Sequence, residues 1–194
     1  MKILILGSGG REYSIARAIK NETEDHELFF QPGNGATDNL GTNLNIKDYN
    51  ELAVFAQENE IELTIVGPEA PLVDGVVNIF RAQGLTIFGP TKEAAQLEGS
   101  KVYMKNFLAK YNIPTAGFIE SDSIEDLYKF TDTLSTPIVV KADGLCGGKG
   151  VIIAMSHDEA KQAIGEMLSG KSFGDAGKKV IVEEFLDGFE LLAQ

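Results

Sequence analysis

Over the first ninety residues, short apolar runs alternate with helical patterns, and nothing else in the sequence limits the fold as strongly. Ile3 to Leu6, Leu28 to Phe30, Ile61 to Val66 and Leu85 to Phe88 read as strands. Between them, Ser14 to Ile19, Asp48 to Glu60 and Asp74 to Gln83 carry apolar residues at helical spacing. Strands joined by helices imply a parallel sheet covered on both faces, with ligands gathering outside the carboxyl ends of the strands. Three polar loops fall at that end: Gly7-Ser8-Gly9-Gly10-Arg11-Glu12, Pro32-Gly33-Asn34-Gly35 and Gly67-Pro68-Glu69-Ala70-Pro71-Leu72. Their convergence favours one substrate pocket over three unrelated turns.

The first loop is the most informative. A strand, a Gly-rich turn and a helix N-terminus leave free N–H groups and the positive end of the helix dipole aimed at one spot, which suits an anion. The segment GSGGRE lacks the third glycine of a dinucleotide fingerprint. It therefore suits a monophosphate better than NAD, the plain alternative being a tight structural turn.

From Thr91 the pattern changes. Glu93 to Leu97 and Lys101 to Tyr111 read as helices interrupted at Gly99-Ser100, and Lys101 and Lys105 share a face. Two lysines at i and i+4 repel in isolation, so that face alone reads as solvated. Phe118-Ile119 is a short strand, Ile124 to Leu134 a helix capped by Ser123, and Asp158 to Ser169 a helix capped by Ser156. Between them lies PIVVKADGLCGGKGV, Pro137 to Val151: an apolar strand ending in Lys141, a loop with Gly144, Gly147, Gly148, Lys149 and Gly150, and a second strand. Glycines let the backbone approach a ligand and the lysines offer point charges for phosphate oxygens, so the stretch reads as a flap over a nucleotide triphosphate or as an ordinary Gly-rich hairpin. It is not a Walker loop, because Lys149 is followed by Gly150. Gly170 to Lys179 reads as a connection and Val180 to Leu186 as the last strand.

Composition narrows the function. A net charge of -12 and a pI near 4.6 would repel a polyanion, which argues against nucleic acid or an anionic membrane as partner. One cysteine, Cys146, excludes an internal disulfide and suits a reducing compartment, and with only His26 and His157 beside it a structural zinc site is not expected. No signal pattern or apolar run of membrane-spanning length is present, so the cytoplasm is the expected location.

Taken together, GSGGRE, PGNGAT, GPEAPLVDG, the FGP and LEGSK segment, VVKADGL with GKGV, and VEEFLDG followed by Phe189 and Glu190 resemble the glycinamide ribonucleotide synthetase family of the ATP-grasp superfamily, over essentially all 194 residues. The resemblance implies an α/β fold: a Rossmann-like substrate-side domain at 1–90, a helical linker and the start of an ATP-grasp domain at 91–120, and an ATP-grasp flap subdomain at 121–194. It implies ligation of glycine to 5-phosphoribosylamine through a glycyl phosphate, at the cost of ATP, in purine biosynthesis. Other readings are a different ATP-grasp carboxylate–amine ligase and a non-catalytic nucleotide-binding module.

On matching positions, the resemblance gives ATP phosphates to Lys105, Lys141 and the flap Gly147, Gly148, Lys149 and Gly150. It gives the adenine amino group to Glu183, the rest of the adenine edge to the backbone near Leu186 and the ribose hydroxyls to Glu190, and it counts Glu184 among the ATP-binding residues. The sugar phosphate falls to Gly7, Ser8, Gly9, Gly10, Arg11 and Glu12, helped by Gly33, Asn34, Gly67, Pro68 and Glu69. Three positions depart from the family pattern: Tyr13 replaces a histidine, Cys146-Gly147 a pair of alanines, and Phe189 a glutamate. Family members run to about twice this length. The expectation is therefore a monomeric chain lacking its C-terminal part, with the ligands for Mg²⁺ or Mn²⁺ beyond residue 194, acting on small molecules and inactive by itself.

Overall fold

A computed structural model describes residues 1–146, 149–170 and 177–189. The chain divides into two compact units, Met1–Gln96 and Leu97–Gln194.

The first unit is a five-stranded parallel sheet in the order β3-β2-β1-β4-β5: β1 (Lys2–Gly7), β2 (Glu27–Pro32), β3 (Thr42–Asn43), β4 (Leu63–Val66) and β5 (Ile87–Phe88). The period of two along β1 decides which helix covers which face. Ile3 and Ile5 pack with Ala16 of α1 (Gly10–Glu22) and with Leu28 and Phe30. Leu4 and Leu6 face the other way, into a core with Leu52 of α2 (Tyr49–Glu58) and Val76, Val77 and Phe80 of α4 (Val76–Ala82). The chain runs outward from β1 to β3 and then returns to lay β4 on the other side of β1, so the topology reverses between β1 and β4. In open parallel sheets, the crevice at such a reversal is where ligands bind.

Two details differ from the sequence reading. GPEAPL is no loop: Pro68 sits extended ahead of α3 (Glu69–Asp74), and Pro71 falls in the first turn, where a missing N–H costs nothing. Gly75, at φ 98°, ends α3 and forces the break before α4. In addition, β3 is only two residues long and carries no apolar run.

The second unit contains α6 (Lys101–Lys110), β6 (Phe118–Ser121), α7 (Ile124–Thr131), β7 (Ile138–Ala142), β8 (Val151–Ala154), α8 (His157–Leu168) and β9 (Val180–Glu184), while α5 (Lys92–Gly99) carries the chain into it. The strands form an antiparallel sheet in the order β6-β9-β7-β8. Ile138, Val140, Ala142, Val180 and Val182 pack on Leu127 of α7 and on Ala160, Ile164 and Met167 of α8. The alternate residues Val139, Lys141, Ile181, Glu183, Val151 and Ile153 therefore share the opposite face, as the register Val139↔Glu183, Lys141↔Ile181 and Lys141↔Val151 requires.

Candidate functional site

Each unit carries its own cavity. In the first, a cavity of about 640 Å³ opens at the carboxyl end of the sheet, lined by Leu6 to Glu12 from the end of β1 into α1, Gln31 and Pro32 at the end of β2, Lys47 ahead of α2 and Tyr49 at its first position, and Pro68, Glu69 and Pro71 after β4. The N-terminus of α1, a 13-residue helix, opens onto it. All three sequence-predicted segments thus reach one pocket, the one after β2 only through Pro32. Gly33 and Asn34 do not line it and instead brace the β1–α1 turn: Gly33 N donates to the Gly7 carbonyl at 3.1 Å and Asn34 Nδ2 to the Ser8 carbonyl at 2.9 Å.

Glu12 organises this turn. It is buried at the third position of α1, where its Oε2 accepts from Gly9 N at 2.6 Å, so the orphan N–H at the helix start is satisfied. Its carboxylate lies so close to the strand ends that a Cβ on Gly67 would sit 1.9 Å from Glu12 Oε1, and one on Gly7 2.5 Å from Glu12 Cδ. Gly7 also needs its φ of 125°. Arg11 Nη1 donates to the Gly67 carbonyl and ties the β1 and β4 loops together. Gly67 is thus a point of close approach and is not among the lining residues.

Lys47 and Tyr49 escaped the sequence reading because they follow β3, which has no apolar run to mark it. Lys47 adds a second cation to the wall that holds Arg11, and it makes no hydrogen bond or ion pair among the described residues. Burial, and then the charge of Asp74 and a hydrogen bond to it, push the Tyr49 phenol above its ordinary range.

In the second unit, a cavity of about 560 Å³ lies against the sheet face opposite α7 and α8. Its walls are Met104, Lys105 and Leu108 of α6, Pro114 to Ala116, Val139, Lys141, Val151 and Ile153, and Glu183 to Leu186. Three charged groups meet there: Lys105 pairs with Glu183 Oε2 and Lys141 with Glu183 Oε1. Lys105 is only 3% exposed and Glu183 4%. Lys105 Nζ also donates to Thr115 Oγ1 at 2.8 Å and lies 5.1 Å from the Phe118 ring centroid. The reading of Lys101 and Lys105 as a solvated pair fails here, because α6 turns Lys105 inward onto a carboxylate that β9 delivers.

Lys101 donates to the Gly144 carbonyl at 2.8 Å. Asp143 accepts from Ser100 Oγ at 3.0 Å and from Val102 N at 3.1 Å, so the start of α6 is fastened to the base of the β7–β8 hairpin. Ser100 in turn caps α6, accepting from Tyr103 N. These anchors fix the helix that carries Lys105, and the LEGSK and KADG segments are where the sequence could have shown them.

Of the remaining predicted residues, Lys149 is exposed and Gly150 is buried against Cys146, where a Cβ would sit 2.7 Å from Cys146 Sγ. Glu184 turns outward and accepts from Gly117 N at 2.9 Å. Gly147, Gly148 and Glu190 lie outside the described residues. Among the described residues, no group of three or more His, Cys, Asp or Glu side chains is placed to hold a metal ion.

A parallel α/β unit followed by an antiparallel sheet that brings two lysines to a cavity of nucleotide-binding size is the plan of an ATP-grasp protein. The fold is shared with N5-carboxyaminoimidazole synthetase from Staphylococcus aureus complexed with ADP, whose structure matches 96% of this chain with a TM-score of 0.74 at 18% identity, a likeness of fold alone. Residues 1–98 match the family model "Phosphoribosylglycinamide synthetase, N domain" and residues 99–194 the model "Phosphoribosylglycinamide synthetase, ATP-grasp (A) domain". The chain belongs to the phosphoribosylglycinamide synthetase family. It is 53% identical, over 98% of its length, to phosphoribosylamine–glycine ligase of Vibrio cholerae. The crystal structure of phosphoribosylamine–glycine ligase from Thermotoga maritima matches 97% of the chain with a TM-score of 0.80 at 34% identity. In both cases the chain spans 45% of the relative.

Proposed function

We propose that this chain supplies the phosphosugar-binding and ATP-binding surfaces for the ligation of glycine to 5-phosphoribosylamine. The observation that carries this reading is the 53% identity to a protein named for that activity, spread over 98% of the chain and hence over both cavities. A glycine carboxylate oxygen attacks the γ-phosphorus of ATP, the bond to the bridging oxygen breaks, and ADP leaves. The amine nitrogen of phosphoribosylamine then attacks the carbonyl carbon of glycyl phosphate, loses its proton, and phosphate departs. Carboxylates acylate poorly, so phosphorylation supplies the leaving group, and the protein's part is positioning and charge neutralisation. Lys105 and Lys141 meet the phosphate chain with help from Lys149 of the flap. The segment from Glu184 to Leu186 borders the base against the apolar wall of Met104, Leu108 and Ile153. The α1 N-terminus, Arg11 and Lys47 hold the sugar phosphate, and Glu69 faces the sugar hydroxyls. The Mg²⁺ or Mn²⁺ that the family resemblance implies finds no ligand cluster among the described residues.

The substrates are small molecules and the chain is a cytoplasmic monomer in this reading. Its charge of -12 disfavours nucleic acid and anionic membranes, and among the described residues no helix is long and apolar enough to cross a membrane. The test joins these 194 residues to the carboxyl-terminal part of the Vibrio cholerae relative and measures ADP release. Release that requires both glycine and phosphoribosylamine is the expected result; release with another acid or amine discards the substrate assignment.

A further inference from the structure

We infer that Asn34 is a positioning residue for the phosphosugar, acting without touching it: its side chain fixes the Ser8–Gly9 peptide plane of the β1–α1 turn, and a buried Thr37–Asn43 pair fixes Asn34. The inference rests on the reading of the first cavity as a phosphosugar site. That peptide plane is held at both ends. Its carbonyl, on Ser8, accepts from Asn34 Nδ2 at 2.9 Å, and its N–H, on Gly9, donates to Glu12 Oε2 at 2.6 Å. A planar trans peptide carries its C=O and N–H on opposite sides, so drawing the carbonyl toward the loop after β2 turns the N–H toward Glu12. The Gly7 carbonyl is drawn the same way, by Gly33 N at 3.1 Å. Ser8, Gly9 and Glu12 line the cavity, whereas Asn34 does not.

Gly9 is where such a plane can turn over. Its φ is -97°, and a half-turn of the plane would carry it into the left-handed region, which glycine enters freely. The flipped plane would set the Ser8 carbonyl oxygen where the N–H stood, and the partial negative charge of that oxygen repels an anion at the helix start. Asn34 opposes the flip because it cannot itself move away. Its Oδ1 accepts from Ala36 N at 2.7 Å and from Thr37 N at 3.1 Å, which leaves Nδ2 as the end that meets Ser8. Asn34 N donates to Thr37 Oγ1 at 2.7 Å, and the Asn34 carbonyl accepts from Asn43 Nδ2 at 2.8 Å. Thr37 is fully buried and its Oγ1 donates to Asn43 Oδ1 at 2.8 Å. The side-chain polar atoms of Asn34, Thr37 and Asn43 thus all have partners, and a network satisfied in this way is rigid. A Cβ on Gly33 would lie 2.1 Å from Asn43 Oδ1, so the chain passes the cluster with no room for a side chain. The two-residue β3, which supplies Asn43, earns its place in the fold through this contact.

The test measures ribose 5-phosphate and ribose binding to the full 194-residue chain and to Asn34→Ser by calorimetry. A serine hydroxyl still accepts from the backbone two residues on and keeps the loop, but it is too short to reach Ser8. The expected result is ribose affinity within about twofold of the parent and ribose 5-phosphate affinity lowered about tenfold, the scale of one lost hydrogen bond to a charged group. An equal fall for both ligands, or no change in either, overturns the inference. Amide hydrogen exchange without ligand reads the peptide plane itself: Gly9 N–H should exchange about tenfold faster in Asn34→Ser while Ala16 in α1 is unchanged. Unchanged Gly9 exchange also overturns the inference. If Asn34→Ser does not fold, Asn34→Asp keeps the acceptor for Ala36 and Thr37 and sets a second oxygen against the Ser8 carbonyl. It too should speed Gly9 exchange, and exchange equal to the parent's refutes the proposed clamp. Should the parent bind no ribose 5-phosphate, the phosphosugar reading of the cavity falls and the inference with it, even where Gly9 exchange shows that Asn34 holds the plane.

Discussion

Replacing Gly67 by alanine should cost the first unit far more than a surface glycine would, and the cost should vanish when Glu12 is removed. The added Cβ would lie 1.9 Å from Glu12 Oε1 and 2.6 Å from its Cδ. Restoring an ordinary contact of about 3.4 Å means displacing the carboxylate by about 1.5 Å. That shift breaks the 2.6 Å hydrogen bond from Gly9 N to Glu12 Oε2, which is charge-assisted and contributes about 1.5–3 kcal/mol. Residual overpacking contributes about 1 kcal/mol more, so about 3 kcal/mol is expected in all. For a unit of this size each kcal/mol moves Tm by about 4–8 °C. The assay is urea and thermal unfolding of the parent, Gly67→Ala, Glu12→Ala and the double variant. Because the clash and the cap belong to one side chain, the double variant should be no less stable than Glu12→Ala alone, and slightly more so if alanine stiffens the unfolded chain. Ribose 5-phosphate should bind Gly67→Ala more weakly, since the turn that Glu12 braces loses its fixed N–H groups. If the two substitutions add to within about 0.5 kcal/mol, Gly67 and Glu12 are independent and the reasoning is wrong.

Lys47→Met should lower the preference for ribose 5-phosphate over ribose by about tenfold, with Lys47→Arg retaining it; an unchanged ratio by calorimetry would remove Lys47 from the phosphate site. The Tyr49 phenol is held above its ordinary value of about 10 by burial first and by Asp74 second. A raised folded-state value favours the protonated form, so its contribution to stability is complete below pH of about 10 and is lost as pH climbs through the folded value. As pH rises from about 10 to the folded value, the urea midpoint of the parent should fall more steeply than that of Tyr49→Phe; parallel curves would count against the assignment. Asp143→Ala removes the acceptor shared by Ser100 Oγ and Val102 N. It should weaken ATP binding about tenfold while leaving ribose 5-phosphate binding unchanged, and an equal loss of both would show a global rather than a local effect.

How much of this was legible from the sequence depended on whether a residue's setting is decided nearby or far along the chain. The alternation of Ile3 to Leu6, GSGGRE and the following helix is local, and it led directly to β1, the turn and α1. A two-residue strand such as β3 carries no period, so the wall built on it, Lys47 and Tyr49, stayed hidden although β3 pairs with β2 in the parallel sheet. Pro71 misled for the opposite reason: proline usually interrupts a helix, but in the first turn of α3 it is neutral. Lys105 is the sharpest case. Within α6 its neighbour at i−4 is Lys101, and local rules make that a solvated, mildly repulsive pair. Its burial becomes favourable only when β9 lies between β6 and β7 and turns Glu183 to the same face as Lys141. A helix, two strands and the hairpin anchored through Asp143 must therefore be in place before Lys105 and Lys141 meet on one carboxylate. The cavity of the first unit, by contrast, is built by turns that each close on their own strand end. Destabilising the β7–β8 hairpin should accordingly erode ATP binding before it affects ribose 5-phosphate binding, as calorimetry with each ligand would show.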